Sequence, residues 1–214
     1  PDSADKAQSA VRNSLSSFRR VLEEHQPTHV LAPFDFGGTT WRHALYPDYR
    51  KKRKPMPAEL REVLPDLYEK LNAMGIPTIS VPGVEADDVL ATVFGHWAMR
   101  GKATIVSTDK DLAVLVAQGA GVRDHFNMEW RDEAWILNKF GVVPGLLHDL
   151  LALTGDSSDD IPGVDKIGTK SAAKLLNQFG SLDGVLANAD QVKGVQGENL
   201  RASTDIVKLA RQLV

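Results

Sequence analysis

Three short apolar runs, at residues 28–34, 77–81 and 104–107, alternate with stretches of helical period, and this alternation limits the fold more than any other feature. Short strands joined through helices imply parallel pairing with right-handed crossovers, because antiparallel neighbours need no helix between them. The helices expected in this half cover 4–24, where Ala7, Val11, Leu15, Phe18 and Leu22 share one face, then 58–74, 86–99 and a short 111–116. Pro27 stops the first, and Pro55 and Pro57 close a polar stretch before the second. Beyond about residue 141 the β-branched strands disappear, and 146–153, 169–179, 182–187 and 199–213 read as helices. The expected architecture is an α/β core over 1–141 with a mostly parallel central sheet and flanking helices, followed by a helical region over 142–214.

Each of the three runs leads into carboxylates. Asp35 ends VLAPFD, the EADD group of Glu85, Asp87 and Asp88 follows TISVPGV, and Asp109 ends TIVSTD with Asp111 two residues on. In open parallel sheets the ligand crevice lies beyond the carboxyl ends of the strands, so separate strands deliver these acids to one place. Asp156 and Asp159 in GDSSDD follow a helix and depend on the fold to join them. Two carboxylates about 4 Å apart repel by roughly 4 kcal/mol at an effective dielectric of 20. Divalent cations remove that conflict, and an all-oxygen donor set selects Mg²⁺ or Mn²⁺ over zinc. Two such ions can activate water and stabilise both oxygens of a phosphodiester displacement. The bland reading of any one of these acids is a helix cap or turn former. Paired acids at successive strand ends are more than capping requires. Asp2, Asp5, Asp48, Asp66, Asp165 and Asp190 read as solvated or capping residues.

Charge is segregated as such an enzyme would need. The net charge of −3 conceals five consecutive cations from Arg50 to Lys54. A basic patch alongside acidic clusters suits a polyanionic substrate. The absence of cysteine excludes disulfides and thiolate metal sites, and fits a reducing cytoplasm as the expected location. No apolar stretch is long enough to span a bilayer, so no membrane partner is expected. None of the six histidines has HExxH spacing, and neither a Walker loop nor GxGxxG is present. Further on, Gly163 and Gly168 permit turns, and a helix starting at Gly168 or Thr169 exposes N–H groups flanked by Lys166 and Lys170. That segment reads either as an anion site or as a plain helix–turn–helix packing motif.

These residues resemble the 5′-nuclease family of flap endonucleases and 5′→3′ exonucleases. EADD at 85–88, STDKDL at 107–112, YRKKRKPMP at 49–57 and LTGDSSDDIPGVDKIGTKSAAKLL at 153–176 carry the likeness in order, over about residues 28–179. The resemblance implies a first Mg²⁺ on Asp35, Glu85 and Asp87 with Asp88 nearby, and a second held partly through water by Asp109, Asp111, Asp156 and Asp159. Mn²⁺ is the expected substitute. Arg50 or Lys51, with Arg53, would stabilise phosphate charge; Arg50 stands where the family carries lysine. Arg42 resembles another phosphate-binding arginine, and Lys54 extends the basic run that matches the family's arch. The 153–176 segment is similar to a helix–three-turn–helix that grips duplex DNA. Gly163, Lys166, Gly168, Thr169, Lys170 and Ser171 would face the DNA, and K⁺ would sit on carbonyls near Asp160, Ile161, Val164 and Ile167.

The family opens with a strand bearing a further first-metal aspartate, which has no counterpart in this sequence; a missing fragment is the expectation. The function expected is two-metal hydrolysis of branched or 5′-ended DNA by a monomer, without base-sequence specificity. The alternatives are a junction-binding protein with little or no hydrolysis and a toxin-type α/β ribonuclease. The duplex-gripping segment argues against the last.

Overall fold

The computed structural model describes residues 3–214; Asp2 lies outside the described residues. The chain divides into two compact units, residues 1–40 with 54–90, and residues 41–53 with 91–214.

In the first unit, α1 (Ser3–His25) lays Val11 and Leu15 against Leu67 and Leu71 of α3 (Ala58–Ala73). The apolar stripe at helical spacing predicts this packing, and Phe18, Leu22 and Ile76 extend it. Strand β1 (Ala32–Pro33) pairs in parallel with β2 (Thr78–Ile79), in the register Ala32↔Thr78. Both are far shorter than the runs at 28–34 and 77–81. Pro33, Pro77 and Pro82 have no N–H to give, so the ladder cannot extend through them. The ladder nevertheless fixes the chain direction, with Ala32 N–H donating to Pro77 O (2.9 Å) and Phe34 N–H to Ile79 O (2.8 Å). Helix α4 (Ala86–Trp97) begins in this unit.

The second unit holds a three-stranded sheet in the order β3 (Thr104–Val106), β4 (Gly121–Asp124), β5 (Glu129–Trp130). β3 and β4 are parallel, in the register Ile105↔Val122, whereas β4 and β5 form an antiparallel pair. The single, mostly parallel sheet expected from sequence is thus corrected: among the described residues there are two short sheets, one per unit, the larger mixed. The stretch at 111–116 is a 3₁₀ helix, Asp111–Gln118, closed by Gly119 at φ 92°. Short α2 (Trp41–Leu45) and α5 (Glu133–Phe140) were not expected; Asp132 caps α5 by accepting from Trp135 N–H.

The remaining helices are α6 (Leu147–Thr154), α7 (Thr169–Phe179), α8 (Leu182–Ala187), α9 (Gly194–Ala202) and α10 (Thr204–Leu213). The helix expected at 199–213 is two helices that meet at Ser203. Their core joins Leu147, Leu150, Leu153, Leu176, Val185, Leu200 and Val207. Ala172 and Ala173 on α7 are small enough to let it pack closely on α6. Among the described residues, no single helix is long and apolar enough to cross a membrane.

Candidate functional site

In the first unit the acids gather at the head of α4. Asp35 lies two residues beyond β1, and its Oδ1 accepts from Ala86 N–H (2.9 Å), the first residue of α4. Asp88 Oδ2 accepts from Glu85 N–H (3.1 Å). Glu85 is buried at 4% exposure, and its Oε1 accepts from Thr40 Oγ1 (3.1 Å). Asp87 occupies the first turn of the same helix. A capping role does not exclude a ligand role, because a carboxylate carries two oxygens and the helix N-terminus favours negative charge.

The second unit assembles its acids differently. Ser107 Oγ accepts from Asp109 N–H (3.0 Å) and Asp109 Oδ1 from Asp111 N–H (2.9 Å), so STDKD folds into consecutive side-chain turns. Lys110 Nζ lies 3.2 Å from Asp156 Oδ2 and 3.3 Å from Asp111 Oδ1, bridging two expected metal ligands. Burial pushes the Asp111 carboxyl up to about 6; Asp109 and Asp156 add to that, and Lys110 opposes it. Burial also works against the charge of Asp156, but the hydroxyl and backbone N–H of Ser158, with Lys110, outweigh it and hold its pKa below the ordinary carboxylate value.

The GDSSDD turn is closed by Asp156 and Ile161, which exchange both backbone hydrogen bonds (2.9 and 2.8 Å). Gly155, at φ 66°, and Gly163 pass so close that a Cβ on either would strike backbone atoms of the other strand of this loop. The basic loop is latched to this turn. Arg50 Nη2 meets Asp159 Oδ2 at 2.8 Å, Tyr49 Oη donates to the same oxygen (3.2 Å), and Arg53 Nη1 lies 4.0 Å from Asp159 Oδ1. Arg50 N–H donates to Asp159 O (2.9 Å). Lys52 grips Asp160 through its N–H and its ammonium, both at 2.9 Å, and the N–H first, then the ammonium, depresses the Asp160 pKa. Lys51 pairs instead with Asp48 (2.8 Å). Arg50 (φ 52°) and Asp160 (φ 56°) both hold left-handed backbone, at a cost of about 1 kcal/mol each for non-glycine residues. Latched backbone on both sides offsets that cost.

The remaining expected residues fall as follows. Arg42 is buried: its Nε donates to Leu213 O (2.8 Å) and its guanidinium lies 4.4 Å from the Trp41 ring centroid, a packing position on α10. Lys54 belongs to the first unit. Gly163 and Gly168 frame the loop between α6 and α7, and Gly168 is the residue before α7. Thr169, Lys170 and Ser171 form the first turn of that helix. Of the carbonyls considered for K⁺, Ile161 O accepts from Asp156 N–H and Val164 O from Ile167 N–H (3.1 Å), which leaves each a second lone pair. Sequence reasoning missed the brackets of this loop. Gln196 Nε2 donates to Lys166 O (2.8 Å) and Ser171 Oγ (2.9 Å), and Asn199 Nδ2 to Asp165 O (2.9 Å). Thr40, Ser107 and Ser158 were likewise missed; Ser107 and Ser158 stand close in sequence to Asp109 and Asp156, whereas Thr40 and Glu85 are 45 residues apart and share no local signal.

Both sets fit a hard divalent ion by donor chemistry, being all oxygen, and in the second set a lysine ammonium already stands in as the cation. Among the described residues, no three His, Cys, Asp or Glu side chains close on a common point as a finished metal cage.

Two family models together match residues 2–214. Residues 2–141 match the 5′-3′ exonuclease N-terminal resolvase-like domain, and residues 142–214 the 5′-3′ exonuclease C-terminal SAM fold. The chain is 41% identical over 204 residues to the flap endonuclease Xni of Aeromonas salmonicida, covering 94% of this chain and 77% of that protein. It is 40% identical over 214 residues to the flap endonuclease Xni of Shewanella baltica, covering 100% and 81%. Among solved structures, the T5 D15 protein co-crystallised with metal ions superposes with a TM-score of 0.83 at 24% identity, covering 97% of this chain and 82% of that one. The T5 D15 flap endonuclease in a pseudo-enzyme-product complex with DNA and metal ions gives 0.79 at 22% identity, covering 97% and 80%. At these identities the two structures establish the fold.

Proposed function

The chain belongs to the 5′-3′ exonuclease family, and from that premise we propose that it is a metal-dependent flap endonuclease and 5′→3′ exonuclease that hydrolyses phosphodiester bonds in branched or 5′-ended DNA. The observation that carries this reading is the pair of acidic sets, each built into a rigid local frame. Asp35, Glu85, Asp87 and Asp88 are organised on the head of α4. Asp109, Asp111, Asp156 and Asp159 are organised by the STDKD turns and the GDSSDD loop. Mg²⁺ is the ion proposed for each set, with Mn²⁺ as a substitute. When bound, these ions supply Lewis-acid charge to the phosphodiester oxygens and lower the pKa of water.

The protein's own groups do the positioning. Arg50 presents a planar fork next to Asp159, suited to a phosphate arriving at the same place, and Arg53 adds a second guanidinium. Arg42 is packed on α10 through its Nε and Leu213 O, and in this reading its role is positional. The first turn of α7, with Lys166 and Lys170, offers N–H groups and charge to the duplex backbone. Contacts of this kind read phosphate and not base edges, so DNA structure sets specificity. K⁺ at the 160–167 carbonyls, a monomeric state and a cytoplasmic location complete the proposal.

The test is cleavage of a 5′-labelled flap substrate with Mg²⁺ or Mn²⁺, against EDTA and against Asp156→Ala. The reading expects metal-dependent product that the substitution abolishes. Tight flap binding without cleavage in any metal would leave a junction-binding protein in its place.

A further inference from the structure

We propose that the Lys110 ammonium is a built-in cation that shares the Asp111–Asp156 carboxylate pair with divalent metal by mutual exclusion, so that metal binds only by displacing it. This rests on the two-ion reading given above. Lys110 Nζ lies 3.2 Å from Asp156 Oδ2, 3.3 Å from Asp111 Oδ1 and 3.4 Å from Asp111 Oδ2. A divalent ion takes carboxylate oxygens at about 2.0–2.6 Å. An ion bridging the same oxygens of Asp111 and Asp156 would have to take the place that the ammonium holds between them, and two cations cannot share that space.

The surroundings explain why the lysine is there. Asp111 is flanked by the negative charges of Asp109 and Asp156, and its opposing cation is Lys110. Without metal, Lys110 offsets the crowding. It can also leave: it hangs on a flexible four-carbon stem, and 43% of its side chain is exposed. The Arg50–Asp159 pair is different, because Arg50 is only 17% exposed and its backbone is tied to the same turn. Lys110 is thus a positioning residue that sets the metal concentration at which the second set fills.

The experiment compares wild-type, Lys110→Met and Lys110→Arg proteins, stripped of metal, by calorimetric titration with Mn²⁺ alone and by melting in EDTA and in saturating Mn²⁺. Lys110→Met should bind one Mn²⁺ on the order of tenfold tighter, and the gain should persist in roughly 0.5 M KCl, where diffuse charge effects are screened. It should melt below wild type in EDTA but not in Mn²⁺, a crossover that a purely structural lysine would not produce. Lys110→Arg should bind no tighter than wild type. Unchanged or weaker binding by Lys110→Met, in a wild type that does lose an ion on Asp156→Ala, would overturn the proposal alone. A wild type whose Mn²⁺ titration is identical to that of Asp156→Ala would overturn the two-ion reading and the proposal with it.

Discussion

The acidic sets of the two units solve one electrostatic problem in two ways. At the head of α4, Asp35, Glu85 and Asp88 accept hydrogen bonds from backbone amides and a threonine hydroxyl. In the second unit, Asp111, Asp156, Asp159 and Asp160 lie against Lys110, Arg50 and Lys52. Neutral donors of this kind orient a carboxylate without cancelling its charge. Ionic partners cancel the charge, and filling the second set means exchanging one cation for another. The first set is a preformed frame; the second is a guarded one.

Glu85→Gln should break this contrast most severely. It keeps the shape and the contact with Thr40 but replaces a buried carboxyl of the frame with an amide, and cleavage should fall by at least about 100-fold. The melting temperature in EDTA should not fall, which separates lost chemistry from lost fold.

Arg50→Ala should come next. It removes the fork from Asp159, and cleavage should drop roughly 10-fold to 100-fold, with a salt slope for flap binding shallower by about one. Arg50→Lys should restore the slope but only part of the rate, because an ammonium cannot reproduce bidentate geometry.

Asp35→Ala sharpens the comparison from the stability side. Losing the acceptor for Ala86 N–H should lower metal-free stability by about 1 kcal/mol, seen as a lower melting temperature in EDTA.

The smallest expected effect is a pH slope. The folded pKa of Asp111, about 6, lies above its unfolded value of 3.8, so its ionisation costs stability above pH 6. That cost is relieved as pH falls from 6 toward 3.8. Asp111→Asn should therefore be the more stable protein in EDTA at pH 8, with the advantage gone by about pH 4. Asp156 and Asp160, whose pKa values are depressed, work in the opposite sense, and both lose stabilising charge only as pH falls below the ordinary carboxylate value.

Much of this was legible in the residues. The helical stripes of α1, α3 and α7 gave those helices almost to the residue; Asp35 and Asp109 closely follow β1 and β3, whereas EADD stands beyond β2 at the head of α4. β4 escaped because Arg123 and Asp124 look like loop residues yet are buried, and β5 because it is only the two exposed residues Glu129 and Trp130. Asp124 and Arg131 form an ion pair of 2.7 Å inside the fold, a partnership that no periodicity encodes. The break at Ser203 had a local signal, Ser-Thr-Asp at a helix start, masked by an apolar period that runs through it. The latch between the basic run and the GDSSDD turn spans more than a hundred residues, so charge patterning showed both halves and not their pairing.

The most direct test of the contrast is the number of Mn²⁺ ions bound by wild type, Glu85→Gln and Asp156→Ala, measured by calorimetry at one pH without DNA. Two independently framed sets predict that each variant binds one ion fewer than wild type and that the remaining ion keeps its affinity to within a few-fold. Wild-type stoichiometry in both variants would contradict the account, because the carboxylates would then be caps and ion-pair partners and not metal ligands.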